Sequence, residues 1–180
     1  MVSLTTPITE APLAVLDVET TGLHPENGDR VVEVAVARSV GGEVLETFVS
    51  LVNPERPIGP SAMRVHGITD AMVAVAPRFA DVADEVLRLL SGAIMVGHNA
   101  AFDLGFVSAE LFIAGRAMPR LVALDTLRLA RHLYTLGSYA LGAVSAAMQV
   151  YVDTPAHRAL ADVLLTHGVL QVIIQDLWPE

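Results

Sequence analysis

At 180 residues, 53% hydrophobic and 17% charged, the chain has the size and composition of one compact domain, which excludes a disordered or fibrous protein. Twenty acidic residues against eleven basic ones give a formal net charge of -9, so no broad basic surface is available to attract a polyanion. The absence of cysteine excludes disulfides, thiolate metal sites and cysteine nucleophiles.

Residues 1–10 carry no basic residue and no apolar core, unlike a secretory signal. Charge, Gly or Pro interrupts the later apolar stretches short of membrane-spanning length, and the expectation is a soluble, cytoplasmic protein with no membrane contact. Residues 13–18 form an apolar run closed by Glu19-Thr20-Thr21-Gly22, the pattern of a strand buried on both faces. Asp17 and Glu19 stand two residues apart on it and therefore share a face, where their like charges call for a cation. Alone, such a pair suits a turn cap and a solvated sheet edge as well as a metal site. Residues 31–38 and 44–52 are β-branched runs joined by Gly41-Gly42, which predicts an antiparallel hairpin.

After Asn53-Pro54 and a Pro-broken stretch over 57–60, residues 79–90 place Phe79, Val82, Ala83, Val86, Leu89 and Leu90 at helical spacing. A short strand over 93–96 leads into Gly97-His98-Asn99-Ala100-Ala101-Phe102-Asp103 and a helix over 102–114, with Asn99 able to cap it and Asp103 in its first turn. A last strand over 121–124 precedes helices over 127–134, 139–148 and 156–174, the last striped by Leu160, Val163, Leu164, Leu170 and Ile174. The expected fold is α/β: a single domain spanning 1–180, with its core over about 11–176, built on a central mixed five-stranded sheet flanked by helices. At the start of the last helix His157 and Asp162 stand five residues apart, about 140° around a regular helix, so they converge only if His157 lies at an irregular first turn.

Each fragment is ordinary by itself, but their order is not. Leu16-Asp17-Val18-Glu19-Thr20-Thr21-Gly22-Leu23, then His98-Asn99-Ala100-Ala101-Phe102-Asp103, then His157-Arg158-Ala159-Leu160-Ala161-Asp162 resemble the three motifs of the DEDDh group of DnaQ-like (RNase H-like) 3′→5′ exonucleases. The motif forms are most similar to DNA polymerase III epsilon-type proofreading domains. Asn53-Pro54, Val65-His66-Gly67-Ile68-Thr69 and Asp125-Thr126-Leu127 extend the resemblance over nearly the whole chain.

The resemblance implies an RNase H-like fold and two Mg²⁺ or Mn²⁺ ions held by Asp17, Glu19, Asp103 and Asp162. It also implies His157 as general base and Thr20, Leu23 and His66 along the terminal nucleotide of a nucleic-acid 3′ end. Hard carboxylate oxygens suit such ions, and imidazole titrates near neutral pH. The implied activity is 3′→5′ hydrolysis of single-stranded or frayed DNA to nucleoside 5′-monophosphates in proofreading or repair, with a DNA polymerase as a partner. Two alternatives stay open: an exoribonuclease acting on short or structured RNA, and a catalytically silent polymerase-binding module. Arg116, Arg120, Arg128 and Arg131 are the nearest approach to a basic cluster, so a weak, salt-sensitive grip on long substrates is expected.

Overall fold

The computed structural model describes residues 5–153 and 158–179. Leu13–Thr20 (β1) lies at the centre of a five-stranded sheet, antiparallel to Val31–Val40 (β2) and parallel to Ile94–Gly97 (β4). Glu43–Leu51 (β3) pairs with β2 and forms one edge; Val122–Asp125 (β5) pairs with β4 and forms the other, giving the order β3-β2-β1-β4-β5. The expected mixed sheet is therefore present. Gly41 and Gly42 form the two-residue hairpin between β2 and β3, both at positive φ, 61° and 81°, where a side chain would be strained.

The pleat sorts β1 between two cores. Ala14, Leu16 and Val18 face Phe79–Leu90 (α3) and Ala100–Ile113 (α4), packing with Phe79, Val86 and Phe106. Leu13 and Val15 face Ala159–Leu177 (α7), packing with Ala35, Ala37, Val163 and Leu170. Thr126–Leu133 (α5) and Leu141–Ala147 (α6) close the far side of α7 through Ala130, Val144, Val169 and Ile173.

Several boundaries shift from expectation. The helix expected over 102–114 starts two residues earlier, and that over 139–148 starts at Leu141, because the Tyr139 carbonyl accepts a hydrogen bond from His98 Nε2 at 2.8 Å. The helix expected over 156–174 is described from Ala159 to Leu177; residues 154–157 lie outside the described residues. Two short helices were not anticipated, Pro60–His66 (α1) and Asp70–Val73 (α2), which cover a small core of Val32, Ile58 and Ile68. One turn or two is too short to display a period, although Pro60 at the start of α1 and Gly67 after its end are the usual punctuation. The expectation about apolar length also needs correction: α7, 19 residues, is long and apolar enough to cross a membrane. It packs its apolar face on the sheet instead, burying Ala159, Val163, Leu170 and Ile174.

Both helices that carry motif carboxylates are tied to β2. Glu110 of α4, buried, accepts from Arg30 Nε at 2.8 Å, Arg30 Nη2 at 2.9 Å and the Val31 N–H at 3.0 Å. Glu33 of β2 accepts from Arg158 and from the Ala159 N–H at the start of α7, the latter at 2.9 Å.

Candidate active site

β1 outruns its parallel neighbour. The pairing of β4 with β1 ends at Val15, while β1 continues to Thr20, so the backbone beyond Val15 needs another partner on that side. Asp103 supplies it: from the first turn of α4, its Oδ1 accepts the Val18 N–H at 3.1 Å. Gly97 permits the approach, since a Cβ there would stand 2.9 Å from Ala100 Cα and 3.3 Å from Asp103 Oδ2.

Asp17 and Glu19 project from the face covered by α7, and Asp162, in the first turn of α7, meets them there. One carboxylate oxygen from each lies within 4.8 Å of the other two. Asp103 reaches β1 from the α4 side and stands outside that trio. Burial, then the charges of Asp103, Asp162 and Glu19, hold the Asp17 carboxyl well above the usual carboxylate range. Burial and then Asp162 push Glu19 up to about 8, with Arg158 opposing. Burial likewise pushes Asp103 up to about 8, against the lowering effect of the Val18 N–H. Crowded, half-buried carboxylates that raise one another's pKa, with Arg158 opposing only in part at Glu19, are a donor set that fits a hard divalent cation.

A cavity of about 320 Å³ adjoins the cluster, lined by Glu19, Thr20, Leu23, Val65, His66 and Phe102. Leu23 is 70% exposed at its mouth. Both ring nitrogens of His66 are engaged by backbone: Nδ1 accepts the Ile68 N–H at 3.0 Å, which leaves Nε2–H to donate to the Thr20 carbonyl at 3.2 Å. With Nδ1 accepting a hydrogen bond the ring is neutral, and burial, which lowers its pKa, favours that state. The Thr20 hydroxyl donates to the Gly22 carbonyl at 2.6 Å, fixing the turn that presents Leu23.

A profile of the RNase_T family, described as an exonuclease family, matches residues 14–170. The chain belongs to the RNase_T exonuclease family. This exonuclease domain is 38% identical over 164 residues to the 3′-5′ exonuclease DinG of Bacillus subtilis (strain 168), covering 91% of this chain and 18% of that protein. It is 35% identical over 157 residues to the DNA polymerase III subunit epsilon of Rickettsia felis, covering 84% of this chain and 69% of that subunit. Among solved structures, exonuclease X in complex with 5′ overhanging duplex DNA is similar at a TM-score of 0.73 and 32% identity, over 92% of this chain and 93% of that one. The chain spans less than a quarter of the length of the DinG protein and of several other curated relatives.

Of the residues singled out in the sequence of this exonuclease domain, the fold brings Asp17, Glu19 and Asp162 together, sets Asp103 against β1, and puts Thr20, Leu23 and His66 around the adjoining cavity. His157 lies outside the described residues. Asn99 occupies the first position before α4 but makes no side-chain cap; its φ of 77° and the Asp125 carboxylate, which accepts its N–H at 3.1 Å, hold the turn instead. His98 is structural, its Nε2–H on the Tyr139 carbonyl and its Nδ1 2.9 Å from the Thr126 hydroxyl. The expected arginine cluster is thinned, since Arg116 is paired with Asp84 at 2.9 Å.

Sequence reasoning missed Glu33, 1% exposed and cross-strand from Glu19. Its signal was a lone carboxylate inside the apolar run Val31-Val32-Glu33-Val34-Ala35-Val36. Asp125, named in the sequence only within Asp125-Thr126-Leu127, caps α5 through the Leu127 N–H at 2.9 Å while steadying the β4–α4 turn.

The raised carboxyls carry a prediction for the metal-free protein. Glu19 and Asp103 titrate near 8 in the fold and near their ordinary values of 4.5 and 3.8 when unfolded. These carboxyls bind protons in the fold that the unfolded chain has already released, while His66, His98 and His167, whose pKa values burial lowers from 6.5, act with the opposite sign below that pH, so stability falls as pH rises from about 6.5 to 8. In chelator, the melting temperature is expected to decline from about pH 6.5 to pH 8, and added Mn²⁺ is expected to raise it most at the upper end, where no proton must be displaced. A melting temperature in chelator that is flat or rising over that window contradicts the description of the site.

Proposed function

We propose that this domain is a divalent-metal-dependent 3′→5′ exonuclease that shortens DNA from its 3′ end and releases nucleoside 5′-monophosphates, in proofreading or repair. The observation that carries the reading is the meeting of Asp17, Glu19 and Asp162, remote in sequence, beside a cavity whose wall continues from Glu19 to Leu23 and His66. The intact exonuclease motifs and the likeness to exonuclease X and to an epsilon subunit support it.

In this reading Asp17, Glu19, Asp162 and Asp103 would hold a pair of Mg²⁺ or Mn²⁺ ions. Bound there, the ions would supply Lewis-acid stabilisation of the attacking and leaving oxygens of a phosphodiester. The protein's own share is positioning and proton transfer. Leu23 and Val65 offer apolar surface to a terminal base, and the neutral His66 ring and Thr20 bound the space beside Glu19. His157 accepts a proton from the attacking water on an imidazole nitrogen. Partnership with a DNA polymerase is part of the same proposal, drawn from the epsilon-like motifs.

The test is a matched set of 5′-labelled substrates in Mn²⁺: single-stranded DNA, duplex DNA with a 3′ mismatch, and RNA of the same sequence. Progressive shortening of the DNA strands from the 3′ end, abolished by chelator, is the expected result. Faster shortening of RNA would overturn the substrate class in favour of a ribonuclease. No shortening of any substrate would leave a binding module.

A further inference from the structure

Glu33 is an expensive residue to place where it lies. It is 1% exposed, directly across the strand pair from Glu19, and adds a further carboxylate to a region already crowded with them. A buried ion pair is often replaceable by apolar residues with no loss of stability, so stability alone gives no reason for this one. Its bonding points to a local purpose. Arg158 Nε lies 3.1 and 3.0 Å from the two Glu33 oxygens, Arg158 Nη2 donates to Oε1, and the Ala159 N–H donates to Oε2 at 2.9 Å. Arg158 is the residue before α7 and Ala159 its first residue, while the Arg158 carbonyl accepts the Asp162 N–H at 3.1 Å. One side chain from the sheet thus grips the turn of helix that carries Asp162.

We propose that Glu33 is a positioning residue which, through Arg158 and the Ala159 N–H, locks the first turn of α7 against β2 so that Asp162 faces Asp17 and Glu19 at metal-binding distance. The proposal rests on the metal-site reading above. It assigns β2 a part in the site although β2 contributes no ligand. The fork geometry matters because two parallel bonds to a planar guanidinium fix orientation as well as distance, and outer partners that orient metal ligands typically tune affinity by about 10- to 100-fold.

The test is Mn²⁺ binding by calorimetry to the full chain, at a temperature where circular dichroism shows each variant folded. Glu33→Gln is expected to weaken Mn²⁺ binding about 10- to 100-fold. Arg158→Gln separates positioning from charge, and its partly exposed site makes it the milder change for folding. It leaves extra negative charge beside the site, which would tighten cation binding if charge were the whole effect, whereas loss of the clamp weakens it. In nuclease assays both variants should need more Mn²⁺ for half-maximal turnover, with KM for the oligonucleotide unchanged. Wild-type affinity in folded Glu33→Gln, or equal or tighter binding in Arg158→Gln, overturns the inference and leaves the nuclease reading standing. Failure of the wild-type chain to bind Mn²⁺ overturns both.

Discussion

Asp17→Asn is expected to lower nuclease turnover by about a thousand-fold or more, because it removes a charged oxygen donor from the centre of the acidic cluster while keeping its shape. Asp17 feels every other member of the cluster: Asp103, Asp162 and Glu19 all raise its carboxyl, on top of burial. The same repulsion sets the sign of a second effect. In chelator the variant should melt at a higher temperature than the wild type above neutral pH, since a neutral amide relieves Glu19 and Asp103 of a like charge. Added Mn²⁺ should then stabilise it less. Activity assays in Mn²⁺ with paired melting curves, with and without chelator, check both. Retained turnover would remove Asp17 from the site, and a lower melting temperature in chelator would mean that its carboxylate is compensated by a partner rather than by repulsion-limited protonation.

His157→Ala is expected to reduce turnover by about two to four orders of magnitude while leaving Mn²⁺ affinity near that of the wild type, because the change removes a proton acceptor and no ligand. An imidazole titrates near neutral pH, so it can take a proton from water there, and its removal should also flatten the acidic limb of the pH–rate profile. The neighbouring residue sharpens the comparison. Arg158 is engaged by Glu33 and tunes the placement of Asp162, so changes at 158 should move metal affinity, whereas the change at 157 should move kcat alone. A parallel loss of Mn²⁺ binding in His157→Ala would reassign the histidine as a ligand.

The acidic pair shows how far local pattern reaches. Asp17 and Glu19 sit at i and i+2 of an apolar strand, and a period of two residues puts them on one face whatever the rest of the chain does. The hairpin at Gly41-Gly42 and the helix over Phe79–Leu90 were legible for the same reason: turn chemistry and helical spacing act within a few residues. α1 and α2 escaped because each is too short to repeat a period. The last helix was legible from its stripe, expected over 156–174 and described from Ala159 to Leu177, but its apolar length was underestimated because Asp162 and Gly168 interrupt the run of apolar side chains. Glu33 was passed over because its meaning depends on Arg158, 125 residues away.

The amino-acid order by itself determined which residue types could do the chemistry, the strand that carries Asp17 and Glu19, and the helix starts that carry Asp103 and Asp162. Only the folded molecule decided how they meet. β1 runs past the end of β4, so Asp103 turns to the Val18 N–H; α7 crosses the opposite face, so Asp162 joins Asp17 and Glu19; and Glu33 fixes that crossing. The reason is physical: side-chain chemistry and strand or helix periodicity are set by near neighbours, whereas strand register and helix placement are set by burial and hydrogen bonding between segments that the chain separates by tens of residues.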